Sequence, residues 1–98
     1  MVMKVLVSKI ELRIPQAASL KDKRRIIRGL KDRIWSKFRA SISEIDRLNR
    51  AQEAVLGLVY VSNNKPLLES VMNKIVNLVE TSYPGLLHTY EYTIEYYG

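Results

Sequence analysis

The chain has 98 residues, and its 16 Lys and Arg against 10 Asp and Glu leave a formal charge of +6. That length suits one domain around one core, and a hydrophobic fraction of 47% with a charged fraction of 27% argues against intrinsic disorder, a collagen-like repeat and a membrane-spanning chain. With no cysteine there is no disulfide framework or thiolate zinc site, and a single histidine, His88, cannot build an imidazole metal cluster.

Residues 2–14 are rich in β-branched side chains, and from Ser8 onward they alternate, with Ile10, Leu12 and Ile14 on one face and Lys9, Glu11 and Arg13 on the other. A strand with one covered face is predicted. Charges at Lys4 and Lys9 interrupt this stretch, which also lacks the basic leader and small-residue cleavage site of a secretory signal. A cytoplasmic location without membrane association is therefore expected. Pro15 ends the strand, and Ser19 followed three residues later by Asp22 forms a capping-box-like start for a helix over residues 20–37. Leu20, Ile27, Leu30, Ile34 and Phe38 supply its apolar stripe, with Ile26 and Trp35 on opposite margins.

Residues 40–46 and 54–62 read as two strands joined by the polar segment RLNRAQE. The second of them contains the nearly continuous apolar run AVLGLVYV, which belongs in the interior of a sheet. Ser62-Asn63-Asn64 with Pro66 offers a cap and an early-turn proline for a second helix. Its apolar arc is Leu67, Leu68, Val71, Met72, Ile75, Leu78 and Val79. Tyr83-Pro84-Gly85 terminates it, and residues 86–97 alternate Tyr90, Tyr92, Ile94 and Tyr96 against Glu91, Thr93 and Glu95, a last strand.

The order β-α-β-β-α-β is that of an α+β, ferredoxin-like sandwich in a single domain. Right-handed crossovers each leave a gap that the other unit fills. The expected sheet is four-stranded and antiparallel, in order 4-1-3-2, with both helices on one face.

The positive charge is localised. Lys21, Lys23, Arg24, Arg25, Arg28, Lys31, Arg33, Lys37 and Arg39, against only Asp22 and Asp32, give the first helix region a net +7, and the remainder of the chain carries −1. Such clustering favours a polyanionic partner. The predicted topology brings Arg13, the helix start with Lys21, Arg24 and Arg25, and Arg47 and Arg50 of the 47–53 loop to one edge, where the helix N-terminus adds partial positive charge. Further along, Lys21, Arg24, Arg28, Lys31 and Trp35 fall on one flank at 100° per residue. Arg13, Lys21, Arg24, Arg25, Arg28, Lys31, Arg47 and Arg50 are thus candidate phosphate-binding residues, and RNA or the ribosome is the expected partner. A merely solvated charged face, with Trp35 as a core-margin residue, is the competing interpretation.

Other sites are weaker. Tyr90, Tyr92 and Tyr96 share a face with Ile94, as an amphipathic core or sheet-edge stripe would. Glu44 and Asp46, two apart on a strand, are expected to point the same way, the minimal geometry for a metal-dependent nuclease. A third ligand, a nucleophile and a glycine-rich phosphate loop are missing beside them, and no Ser/His/Asp set assembles around His88. Neither enzymatic activity nor a cofactor is expected. The second function class is a protein-interaction or homodimerisation module, because the outward residues of the third strand are aliphatic and would line a helix-free sheet face.

Taken together, RIPQAASLKDKRRIIRGLKDR, FRASISEID and AVLGLVYVSN resemble the YlxP-like family of small bacterial proteins of unknown function, whose pattern runs I-P-x-x-x-S-L-K-x-K-R, F-x-x-S-x-x-E-x-D and an apolar strand ending V-S-N. The resemblance spans essentially the whole chain, and it implies a ferredoxin-like sandwich. Members are commonly encoded among translation and ribosome-maturation genes, which implies an RNA or ribosome connection by association. Carried over, the pattern lands on Ser19, Lys21, Lys23, Arg24 and Arg25 and on Glu44 and Asp46. It departs at Ala51, where the family pattern leads one to expect an aromatic residue.

Overall fold

A computed structural model describes residues 2–98. The elements are β1 (Met3–Arg13), α1 (Leu20–Phe38), β2 (Ser41–Asp46), β3 (Glu53–Ser62), α2 (Lys65–Ser82) and β4 (Leu87–Tyr97). They form one four-stranded sheet in order β2-β3-β1-β4, the expected order read from the other edge. All three ladders are antiparallel, and this is the ferredoxin-like sandwich.

Local chemistry places the elements where the sequence asks for them. The Ser19 hydroxyl accepts the Asp22 N–H at 3.2 Å while the Asp22 carboxylate accepts the Ala18 N–H at 3.0 Å, a reciprocal cap for α1. At the other end Arg39 adopts a left-handed conformation (φ 59°) and donates its N–H to the Trp35 carbonyl. The Asn64 side chain caps α2 through the Leu67 N–H, and Pro66 sits in its first turn.

Register fixes the faces. On β1, Leu6, Ser8, Ile10 and Leu12 turn toward the helices, opposite Tyr60, Leu58, Leu56 and Ala54 of β3. The core closes over them with Ile27, Leu30 and Ile34 of α1 and Leu68, Met72, Ile75 and Val79 of α2. The buried Ser8 hydroxyl is satisfied by the Glu91 carbonyl at 2.9 Å. Helix α1 lies over β2, whereas α2 spans β3, β1 and β4. The other sheet face has no helix, and it presents Val7, Val59 and Val61, each exposed, as the aliphatic third strand led one to expect. Tyr90, Tyr92 and Tyr96 take the helix side of the edge strand β4, as their shared face with Ile94 predicts, but they remain exposed.

Candidate nucleic-acid interface

The cations of α1 divide by direction. Ile27, Leu30 and Ile34 form the buried stripe, and Lys23, one turn before Ile27, falls on the same stripe. Its side chain is fully buried, with 0% exposure. The ammonium lies 2.7 Å from Glu44 Oε2 and within 3.0–3.4 Å of the backbone carbonyls of Arg47, Leu48 and Glu53. A buried lysine is tolerated only with such partners. Lys23 therefore belongs to the core and to the underside of the 47–53 loop, although it sits in the most basic stretch of the sequence.

Lys21, Arg24, Arg25 and Arg28 point the other way. All four are exposed and together line a hollow of about 310 Å³ in which no acidic residue takes part. Among the described residues, no carboxylate lies within ion-pair distance of any of them or of Lys31, and the nearby Asp22 is engaged in the helix cap. Lys31 lies one turn further along the same flank, in the wall of a second hollow with Asp32, Trp35, Ala40, Ser41 and Ile42. Trp35 keeps 52% of its surface exposed. The Arg39 guanidinium lies 5.3 Å from its ring centroid.

The three other sequence candidates do not join this surface. Arg47, in a left-handed turn (φ 58°), sends its guanidinium to Glu11 at 3.7 Å and Glu53 at 3.6 Å. Arg50 binds Glu53 at 2.9 Å. Arg13 stands opposite Glu53 in the β1–β3 register, on the sheet side away from the helices. The expected convergence of these arginines with the helix start is thus replaced by a local ion-pair network on the open side. Its centre is Glu53, whose pKa is lowered chiefly by the Arg50 hydrogen bond; desolvation opposes this, and the charges of Arg50, Arg47 and Arg13 add smaller lowering effects.

The expectation for Glu44 and Asp46 also needs correction. A bulge between them breaks the two-residue alternation: Glu44 stands opposite the helix-facing Leu56, whereas Asp46 stands opposite Val55 of the open side. Glu44 is then committed to Lys23, and Asp46 accepts the Arg47 N–H at 2.8 Å. The two carboxylates do not converge on a common point. His88 is exposed beside Pro84 and Tyr90 in a wide depression.

A family model described as "Protein of unknown function (DUF503)" matches residues 5–92. The chain belongs to this family. The uncharacterized protein YlxP of Bacillus subtilis (strain 168) is 30% identical over 76 residues, covering 78% of this chain and 82% of its own. Among solved structures, the de novo designed protein Foldit4 superimposes with a TM-score of 0.51 at 13% identity, over 98% of this chain and 97% of the design. A second de novo design, LFR1 1 with ferredoxin fold, gives 0.49 at 13% identity, over 97% and 85%. The first likeness concerns the fold alone. In this DUF503 chain the run from Ser19 to Arg25 serves two ends: Ser19 caps the helix and Lys23 fills the core, while Lys21, Arg24 and Arg25 face solvent. No helix among the described residues is long and apolar enough to cross a membrane.

Proposed function

We propose that this DUF503 protein is a non-enzymatic RNA-binding module that holds phosphates on the exposed face of α1. The observation that carries the reading is the convergence of Lys21, Arg24, Arg25 and Arg28 on one hollow without a neutralising carboxylate, in a chain whose loop arginines are paired. Four such cations in a line along a helix suit a linear polyanion better than a single phosphate. The ribosome is the RNA-rich partner this reading favours. With about four phosphate contacts on single-stranded RNA, log K falls against log[salt] with a slope near −3. Replacing Arg24, Arg25 and Arg28 by Gln abolishes that binding and leaves the melting temperature nearly unchanged. Salt-independent association, or none at low salt, overturns the reading. Salt-released co-sedimentation with ribosomal subunits would identify the partner.

A second reading concerns the opposite side of the sheet. Val7, Ile45, Gly57 and Val59 line a hollow of about 600 Å³ there, rimmed by the Lys9–Glu91 ion pair at 3.3 Å. An apolar floor with both signs of charge at its rim is self-complementary, which favours a second copy of this chain as occupant. Light scattering decides it, since a monomer at high concentration removes the dimer. Helix α1 lies on the other side of the sheet, so the two readings are compatible.

A further inference from the structure

The two hollows on α1 differ in chemistry. The first, near the helix start, is walled by Lys21, Arg24, Arg25 and Arg28 alone. The second, around Trp35, combines an indole with Ala40 and Ile42, and its wall carries one cation, Lys31, and one carboxylate, Asp32, with no ion pair between them. A phosphate gains from the first and is repelled by the carboxylate in the second. A flat, neutral, weakly polar group fits the second, where the half-exposed indole offers a stacking surface backed by the Arg39 guanidinium.

Both hollows lie on one flank, because positions 21, 24, 28, 31 and 35 recur at helical spacing and the helix runs unbroken from Leu20 to Phe38. The fourteen-residue step from Lys21 to Trp35 corresponds to about 21 Å of helix. A ligand that carries negative charge at one end of that distance and a planar heterocycle at the other is a short stretch of single-stranded nucleic acid. Inorganic polyphosphate and an anionic vesicle supply the charge but have no group for the indole.

We propose that Trp35, with Lys31, Asp32 and Ile42, forms a base-stacking subsite for single-stranded RNA whose phosphates lie on Lys21, Arg24, Arg25 and Arg28. This rests on the phosphate-binding reading of α1 and adds to it a specific contact with the base.

Trp35 is the only tryptophan of the chain, so its intrinsic emission reports on this subsite alone. The full-length protein is titrated with a single-stranded RNA of about ten nucleotides, with an abasic oligomer of the same length and with inorganic polyphosphate. The RNA quenches the emission at least twofold and binds about tenfold more tightly than the abasic oligomer. Polyphosphate binds without quenching. Trp35→Ala removes the RNA advantage and leaves polyphosphate binding as it was, while Trp35→Phe retains most of the advantage. Thermal melts of both variants establish that they are folded. Should the RNA bind in a salt-dependent way with unchanged emission and equal affinity for Trp35→Ala, the stacking subsite is wrong and the phosphate face survives. Should neither RNA nor polyphosphate bind, both ideas fall together.

Discussion

The ammonium of Lys23, from the first turn of α1, lies 2.7 Å from the carboxylate of Glu44 at the middle of β2 and has no exposure to solvent. Three backbone carbonyls of the 47–53 loop region complete its surroundings, so one side chain fastens the helix start, an edge strand and the loop that joins β2 to β3. Its four acceptors saturate the three ammonium protons. Lys23→Ala is expected to cost about 3–5 kcal/mol, because it strands the Glu44 carboxylate and leaves the loop carbonyls unpaired. Glu44→Gln is expected to cost less, about 1–3 kcal/mol, since the ammonium keeps its carbonyl partners. Urea unfolding of the two variants and of the double variant measures both terms and their coupling. Amide exchange across residues 47–53 accelerates in Lys23→Ala ahead of global unfolding.

Most of the fold is legible in the sequence because it rests on short-range rules: alternation in β1 and β4, the Ser19–Asp22 cap, the proline and glycine stops, and an apolar β3 that has to be central. The site is less legible. Lys23 looks like one more cation of a basic run, and only its spacing of four, seven and eleven residues from Ile27, Leu30 and Ile34 marks it as facing inward. The bulge that parts Glu44 from Asp46 has no glycine or proline within β2 to announce it; its one sign is Gly57 on the paired β3, where a Cβ would come 3.1 Å from Ile45. Arg47 and Arg50 read as free loop cations because their neutralisation depends on a turn that brings Glu53 back beside them and on Glu11 from a distant strand.

Glu53 supplies a pH-dependent element at that end of the sheet. Its folded pKa is lowered, mainly through the Arg50 hydrogen bond, so its contribution to stability is present above the unfolded glutamate pKa. That contribution is lost as pH falls through the lower, folded value. Carboxyl NMR titration of the native protein should place the Glu53 midpoint below the ordinary glutamate range. Arg50→Gln should move it back upward and flatten the acid limb of the stability profile. A Glu53 midpoint unmoved by Arg50→Gln would assign the shift to some other cause.

Gly29 is a helix-interior glycine with a specific neighbour. A Cβ built there would come 2.8 Å from the Tyr83 hydroxyl, and the Arg33 guanidinium one turn later lies 5.6 Å from the same ring. Tyr83 thereby docks the end of α2 onto α1. Gly29→Ala alone gains helix propensity of about 1 kcal/mol and loses it again in displacing Tyr83, for a net change near zero or unfavourable. In a Tyr83→Phe background the hydroxyl is gone, and the same substitution should stabilise by up to about 1 kcal/mol. Thermal denaturation of the four proteins of that cycle tests the assignment.

The placement of charge separates the binding face from the structural arginines more sharply than total charge does. Arg47→Gln with Arg50→Gln removes two positive charges, as does Arg24→Gln with Arg28→Gln. If binding followed net charge alone, the two pairs would weaken RNA association equally. The geometry predicts otherwise, because Arg47 and Arg50 are held by Glu11 and Glu53, while Arg24 and Arg28 line the unneutralised hollow of α1. The loop pair should leave the salt slope of RNA binding intact while lowering the unfolding midpoint slightly. The helix pair should reduce the magnitude of the slope by about 1.4, which is two phosphate contacts on a single strand, without moving the midpoint. Equal slopes for the two double variants would mean that long-range attraction, rather than the face of α1, governs the association.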